Sequence, residues 1–277
     1  MTVPLPLTTG RRVALAVGVP LALLTIGWTA LTAVALVGEG SYRVNLDLPT
    51  HGRTATVAVD SGDVSISPAA GNRIRVRGTA RWALIRSRVT WQSTSSGVVV
   101  RSRCQQPAGS CSFDYRVTLP GGLATVISNG SGDVAVTGLA GHALLQDGSG
   151  DIRASALSGG VEIKDQSGQV TGASLSGPRV LVENDSGDIA ITGLASQDVT
   201  TTNHSGNITL IFTRVPQRVV VSDESGDVRL VLPPGPTLYR VSASTQSGQT
   251  SVRVPTSSAS SHVVTVTDQS GNITVTQ

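Results

Sequence analysis

A Ser-Gly-[Asp/Asn/Gln] tripeptide recurs at Ser61, Ser131, Ser149, Ser167, Ser186, Ser205, Ser225, Ser247 and Ser270. From Ser131 onward the steps are 18, 18, 19, 19, 20, 22 and 23 residues. Self-similarity on this scale marks a solenoid, in which each repeat buries its apolar face only by stacking on its neighbours. Each coil can lengthen in its loops while its core positions stay aligned.

The apolar residues keep register with the turns. After Ser131 come Val134, Val136, Leu139, Ala143 and Leu145; after Ser149, at the same offsets, come Ile152, Ala154, Leu157, Val161 and Ile163. After Ser186 come Ile189, Ile191 and Leu194, then Val199 and Thr201 one residue later. This alternation predicts two short strands per coil, apolar inward and polar outward. Gly-rich corners such as Thr137-Gly138-Leu139 join them. Aromatic residues are only 3% of the chain, so the core must be thin and filled by small β-branched side chains. The expected fold is all-β: a single-stranded β-solenoid, or β-helix, with about 18–23 residues per coil. Seven steps of about 4.8 Å give a rod of roughly 35 Å.

The turn has its own chemistry. Gly supplies the positive φ of a tight corner. Asp or Asn accepts hydrogen bonds from nearby backbone N–H groups, and Ser does so more weakly. The third motif position forms a column: Asp63, Asp133, Asp151, Gln169, Asp188, Asn207, Asp227, Gln249 and Asn272. A carboxylate ladder invites a Ca²⁺ reading, since that ion takes oxygen ligands at turns. Calcium-binding β-rolls have a shorter nonapeptide period, and amides dilute the charge here. The column is therefore read as structural, with no metal and no cofactor expected. Five Asn-x-Ser/Thr sequences, at Asn129, Asn184, Asn203, Asn207 and Asn272, fall on the same corners and are read as coincidence.

Charge divides the chain. Residues 41–118 carry 11 Arg and 4 acids, a net +7, whereas residues 119–277 carry 8 Lys or Arg and 13 acids, a net −5. Between Val64 and Phe113 lie Arg73, Arg75, Arg77, Arg81, Arg86, Arg88, Arg101 and Arg103 with no carboxylate at all. This head, 41–118, reads as an irregular β cap over the regular repeats of 119–277, because open solenoid ends are unpaired sheet edges that need covering. The eight arginines are the candidate site for an anionic partner, with Trp82 and Trp91 among them. The competing reading is a solvated basic face with both Trp packed in the cap. Cys104 and Cys111 allow one intrachain pairing, expected as a disulfide outside the cytoplasm.

Arg11 and Arg12 precede an uncharged, mostly apolar run from Val13 to Gly38. Its length suits a tilted membrane span, and the basic flank would put residues 1–12 in the cytoplasm. The expectation is a single-pass plasma-membrane protein, anchored over 13–38 by a transmembrane helix or signal-anchor, with its C-terminal domain extracellular. A cleaved signal peptide ending near Ala33-Val34-Ala35 is the alternative.

The turns Asp133-Val134, Asp151-Ile152, Asp188-Ile189 and Asp227-Val228, each preceded by Ser-Gly, together with Val117-Thr118-Leu119-Pro120-Gly121-Gly122 and Val231-Leu232-Pro233, resemble a known bacterial family. The chain is similar, over about 41–277, to the putative adhesin domains of unknown function with β-strand repeats, of the membrane-anchored type common in actinobacterial envelopes. The resemblance implies a β-solenoid and an adhesin-like surface role, and offers no catalytic residues.

The function expected from all this is a surface-binding module. Its partners would be the membrane, through the N-terminal helix, and an anionic wall polymer, a glycan or another surface protein. Nucleic acid is not expected, since the head should lie outside the cell. A self-associating envelope scaffold is the alternative, more plausible if Ile273–Thr276 is an uncovered edge strand. A polysaccharide-active β-helix enzyme is a remote third. Glycoside hydrolysis needs two carboxylates across a groove, and here Glu162, Glu183 and Glu224 show no pairing while His51, His142, His204 and His262 are scattered. The chain is therefore read as not an enzyme.

Overall fold

A computed structural model describes residues 17–29, 39–105 and 110–277. Residues 17–29 are helical. At a rise of 1.5 Å per residue that helix is about 20 Å long, against a hydrocarbon core of about 30 Å. Among the described residues no helix is long and apolar enough to cross a membrane. The expected single-pass anchor over 13–38, and with it the plasma-membrane placement, is therefore corrected. Hydropathy measures the apolar run, but the continuous helical length decides whether a span closes. Residues 1–16 and 30–38, on which the expectation also drew, lie outside the described residues.

The rest of the described chain is strand, turn and loop, from Gly40–Pro49 to Ile273–Thr276. The strands form a 12-stranded and an 11-stranded sheet. In the body of the rod each coil gives one strand to each sheet, in parallel, with one register irregularity between Ile191 and Leu194. Val134, Ile152, Val170, Ile189, Ile208 and Val228 stand in one register across the first sheet, and Ala143, Val161, Val180, Val199 and Val219 across the second. The inward residues named from the periodicity, Val134 to Thr201, are each at most 2% exposed. The apolar ones among them belong to one continuous core that runs the length of the stack. Alternation fixes this register, since a slip by one residue would turn every apolar side chain outward.

Order in space departs from order in sequence at both ends. The strands Thr54–Val59 and Val64–Pro68 form a regular coil on the Ser61 turn, and this coil lies directly on the Ser131 coil. Gly62 N–H donates to Ser131 O at 2.7 Å across that junction. The strands Gly97–Arg103 and Cys111–Leu119 cover its other side. Gly40–Pro49 and Arg73–Trp82 then extend the first sheet antiparallel, and Arg88–Ser93 does the same for the second. Ser96-Gly97 is the turn of that last hairpin, with Thr94 and Gly97 exchanging backbone hydrogen bonds, and stands outside the Ser-Gly turn column.

At the other end the final strands, Val263–Ser270 and Ile273–Thr276, are inserted between the Ser225 and Ser247 coils. Ile273–Thr276 is thus an interior strand. The Ser247 coil, Arg240–Ser247 and Thr250–Arg253, is the edge.

Cys104 and Cys111 are joined by a disulfide seven positions apart. It fastens the end of Gly97–Arg103 to the start of Cys111–Leu119, so it staples the covering coil across both sheets. Changing both to Ser should lower stability by about 2–3 kcal/mol on the loop-closure estimate. Chemical denaturation with and without reductant measures this, and an unchanged midpoint would show the staple to be redundant.

Candidate functional site

The eight head arginines fall into two groups. On Arg73–Trp82 the alternation places Ile74 and Val76 in the core and Arg73, Arg75 and Arg77 outside. Arg73 donates to Asp47 at 2.5 Å and Arg75 approaches the same carboxylate at 3.7 Å. The hydrogen bond from Arg73 holds the Asp47 carboxyl below its usual range. Arg81 pairs with Asp114. Arg77 lies in a hollow with Asp63, Asp114 and Asp133, and among the described residues it has no ion pair of its own. This face is therefore largely neutralised.

The second group is not. Among the described residues Arg86, Arg88, Arg101 and Arg103 have no carboxylate within ion-pairing distance. Arg88 stands directly opposite Arg103 on neighbouring antiparallel strands, and Arg101 lies opposite Thr90. Like charges in direct cross-strand register are destabilising, so the sequence tolerates repulsion here.

A groove of about 600 Å³ opens at this end of the rod, between the edge strands of the two sheets. Gly40–Pro49 contributes Tyr42 and Arg43, Arg88–Ser93 contributes Arg88 and Trp91, and the connection from Arg73–Trp82 to Arg88–Ser93 adds Arg86 and Ser87. The Arg86 guanidinium lies over the Tyr42 ring at 4.9 Å and the Trp82 ring at 5.8 Å, a cation–π arrangement that fixes a long side chain without neutralising it. Tyr42 and Trp82 are in ring contact at 5.5 Å. Trp91 is 55% exposed. Ser87 is 4% exposed, and its hydroxyl has no partner among the described residues. The mouth thus combines unpaired guanidinium groups, an open indole and one buried hydroxyl. The periodicity did not find Arg43 or Ser87, because only the folded arrangement of edge strands brings them to Arg86 and Trp91.

The turn column is held coil to coil. The Oδ1 of Asp63 accepts the Asp133 N–H at 2.9 Å, that of Asp133 the Asp151 N–H at 3.1 Å, and that of Asp151 the Gln169 N–H at 3.1 Å. Asp188 serves Asn207, Asn207 serves Asp227, Asp227 serves Asn272, and Asn272 serves Gln249 in the same way. Arg153 bridges Asp133 and Asp151 at 2.7 Å each, and backbone and Arg153 hydrogen bonds hold the Asp133 carboxyl below its usual range. Among the described residues no group of three or more His, Cys, Asp or Glu is placed to hold a metal ion.

A second polar column lies inside the rod, two residues before seven of the nine Ser-Gly turns: Asn129, Asp147, Asp165, Asn184, Asn203, Asp223 and Asp268 in continuous register. Each is at most 5% exposed. Each Asn donates its Nδ2 to the carbonyl of the turn glycine three residues on: Asn129 to Gly132 at 2.8 Å, Asn184 to Gly187 at 3.1 Å, and Asn203 to Gly206 at 2.9 Å. An ionised Asp in the same place has no hydrogen to give. Asp147 Oδ2 and both oxygens of Asp165 and Asp223 lack partners of good geometry. Burial pushes the carboxyls of Asp147, Asp165 and Asp223 up to about 6; for Asp147 and Asp223 the next acid in the column adds to this. The signal was legible as an Asn or Asp two positions ahead of the motif in seven of its repeats. Three of the Asn-x-Ser sequences begin on this column, at Asn129, Asn184 and Asn203, which are too buried to receive a glycan.

Comparison with known proteins bears on the fold. A family model described as Toastrack DUF4097 matches residues 116–276. The solved structure of a putative adhesin from Parabacteroides distasonis is similar with a TM-score of 0.52 at 10% identity, over 85% of this chain and 96% of that one. A putative adhesin from Bacteroides fragilis aligns with a TM-score of 0.45 at 10% identity, over 84% of this chain and 97% of that one. No curated protein matches the chain.

Proposed function

We propose that this chain, which belongs to the Toastrack DUF4097 family, is an adhesin-like surface-binding module whose basic mouth takes an acidic polysaccharide. The observation that carries the reading is the mouth itself: Arg43, Arg86 and Arg88, without carboxylate partners, beside the open face of Trp91. Carboxylates or phosphates on a polymer would meet the guanidinium forks. Sugar rings would lie against the indole. The solenoid serves as the rigid stalk that presents this end. The groove lining contains no carboxylate, thiol or imidazole, which suits recognition rather than bond cleavage. The adhesin descriptions of the similar structures lean the same way.

The test is binding of the full chain to polygalacturonate and hyaluronate, with neutral dextran as control. Binding to the acidic polymers should weaken steeply with salt. The double change Arg86→Ser and Arg88→Ser should weaken it at least about tenfold, as loss of two charge-assisted contacts implies. Trp91→Ala should weaken it without flattening the salt dependence. Equal binding to dextran, or no loss on removing the arginines, would sink the proposal.

A further inference from the structure

The far end of the rod is a different surface. The inner residues Val241 and Ala243 of the Ser247 coil are partly exposed, whereas Val264 and Val266, one coil inward, are 0% and 1% exposed. Arg240 N–H donates to His262 O at 2.8 Å, toward the sheet. Alternate residues of a parallel strand face opposite ways, so Val241, Ala243 and Thr245 turn their backbone N–H and C=O groups outward. Natural sheets blunt such an edge with Pro, Lys, an inward charge or a bulge. Pro255–Ser257 pairs with the outer side at Tyr239, but between Val241 and Thr245 the strand has none of these.

We propose that this end docks on a second copy of the chain. Val241–Thr245 of one protomer pairs antiparallel with Val241–Thr245 of its partner about a twofold axis through Ala243, clear of Pro255–Ser257, which already closes the outer side of the sheet at Tyr239. The antiparallel sense places the two Arg240 side chains at opposite ends of the joined strands and sets the uncharged stretches Val241–Thr245 against each other. Each terminal coil becomes the missing neighbour of the other, and the half-open faces of Val241 and Ala243 close. Charge selects this arrangement over head-to-tail stacking. The mouth carries Arg43, Arg86 and Arg88, the far end carries Arg240 and Arg253, and no acid lies between Asp227 and Asp268. Head-to-tail stacking and the twofold contact both bring basic ends together, and the antiparallel register limits the repulsion in the twofold contact by setting its two Arg240 side chains apart. The result is a closed dimer rather than a fibre, with the two mouths at its outer ends. This inference stands on the terminal coil alone and does not depend on what the mouth binds.

Sedimentation velocity of the full chain over a range of concentrations tests it. The expected result is a concentration-dependent species of twice the 28.3 kDa chain mass. Ala243→Pro removes only an outward N–H, since proline is tolerated where an edge strand faces solvent. It should shift dissociation at least tenfold toward monomer. Ser242→Cys combined with Ser244→Cys, two positions that face each other across the axis, provides a readout independent of that variant's folding. The two native cysteines are already joined, so oxidation should give a covalent dimer, while Thr90→Cys at the mouth should give none. A chain that stays monomeric, or a dimer unmoved by Ala243→Pro and not trapped by the Ser242→Cys, Ser244→Cys pair, overturns the proposal. The second of these outcomes is also the one expected if the exposed apolar helix 17–29 drives association.

Discussion

Asp147→Asn is expected to stabilise the folded chain at pH 7.5 by about 2–3 kcal/mol. Asp147 sits inside the rod at 5% exposure, with the carboxyl of Asp165 next in register. Burial is the larger cause of its raised affinity for the proton, and Asp165 the second. In the folded chain the carboxyl holds its proton up to about pH 6, whereas the free side chain gives it up near pH 3.8. Protonation therefore contributes stability that is fully present below about pH 4 and is lost as pH rises through about 6. Asp165 and Asp223 behave alike, so the native protein should be more stable at pH 4.5 than at pH 7.5. Asn at position 147 removes the need to bury a charge. Its amide can donate to the Gly150 carbonyl as Asn129 does to Gly132. Thermal melts from pH 4 to pH 8 should show the native midpoint falling through pH 6, and the variant falling less. A native midpoint that rises over that window, or a variant no more stable at pH 7.5, would refute the account.

Gly187→Ala should cost at least about 3 kcal/mol. Gly187 has φ +125°, and a Cβ there would run into the carbonyl of Gly168 in the coil beneath. The same glycine recurs in each turn because stacked corners at strand spacing leave no room for a side chain. Strain and collision act together, and neither is relieved by moving one coil, since Gly206 lies on Gly187 in turn. Urea denaturation measures the loss. A change under about 1 kcal/mol would mean the corners can spread.

Much of the fold was legible because a solenoid is nearly one-dimensional. The spacing of Ser-Gly turns gave the coils, and offsets from each turn gave the inward residues. What the spacing could not give was stacking order at the ends. The Ser61 turn sits 70 residues from Ser131 in sequence yet lies against it in space, and Ile273–Thr276 is enclosed although it follows the Ser247 coil. A repeat period states which residues are equivalent, not which copies touch. The inner Asn/Asp column was readable but lay in the shadow of the acidic motif two residues on. The apolar run near the N-terminus was plain, but composition does not set where a helix starts and stops.

The sequence by itself determined the coil, its two strands, its inward face and its glycine corners, since each follows from local periodicity and backbone sterics. Only the tertiary structure decided which arginines are free. Arg73, Arg75 and Arg81 meet Asp47 and Asp114, which are distant along the chain, while Arg86 and Arg88 meet aromatic rings and another arginine. Pairing of charge depends on strand order across the sheet, and that order is set where the ends of the rod close out of sequence.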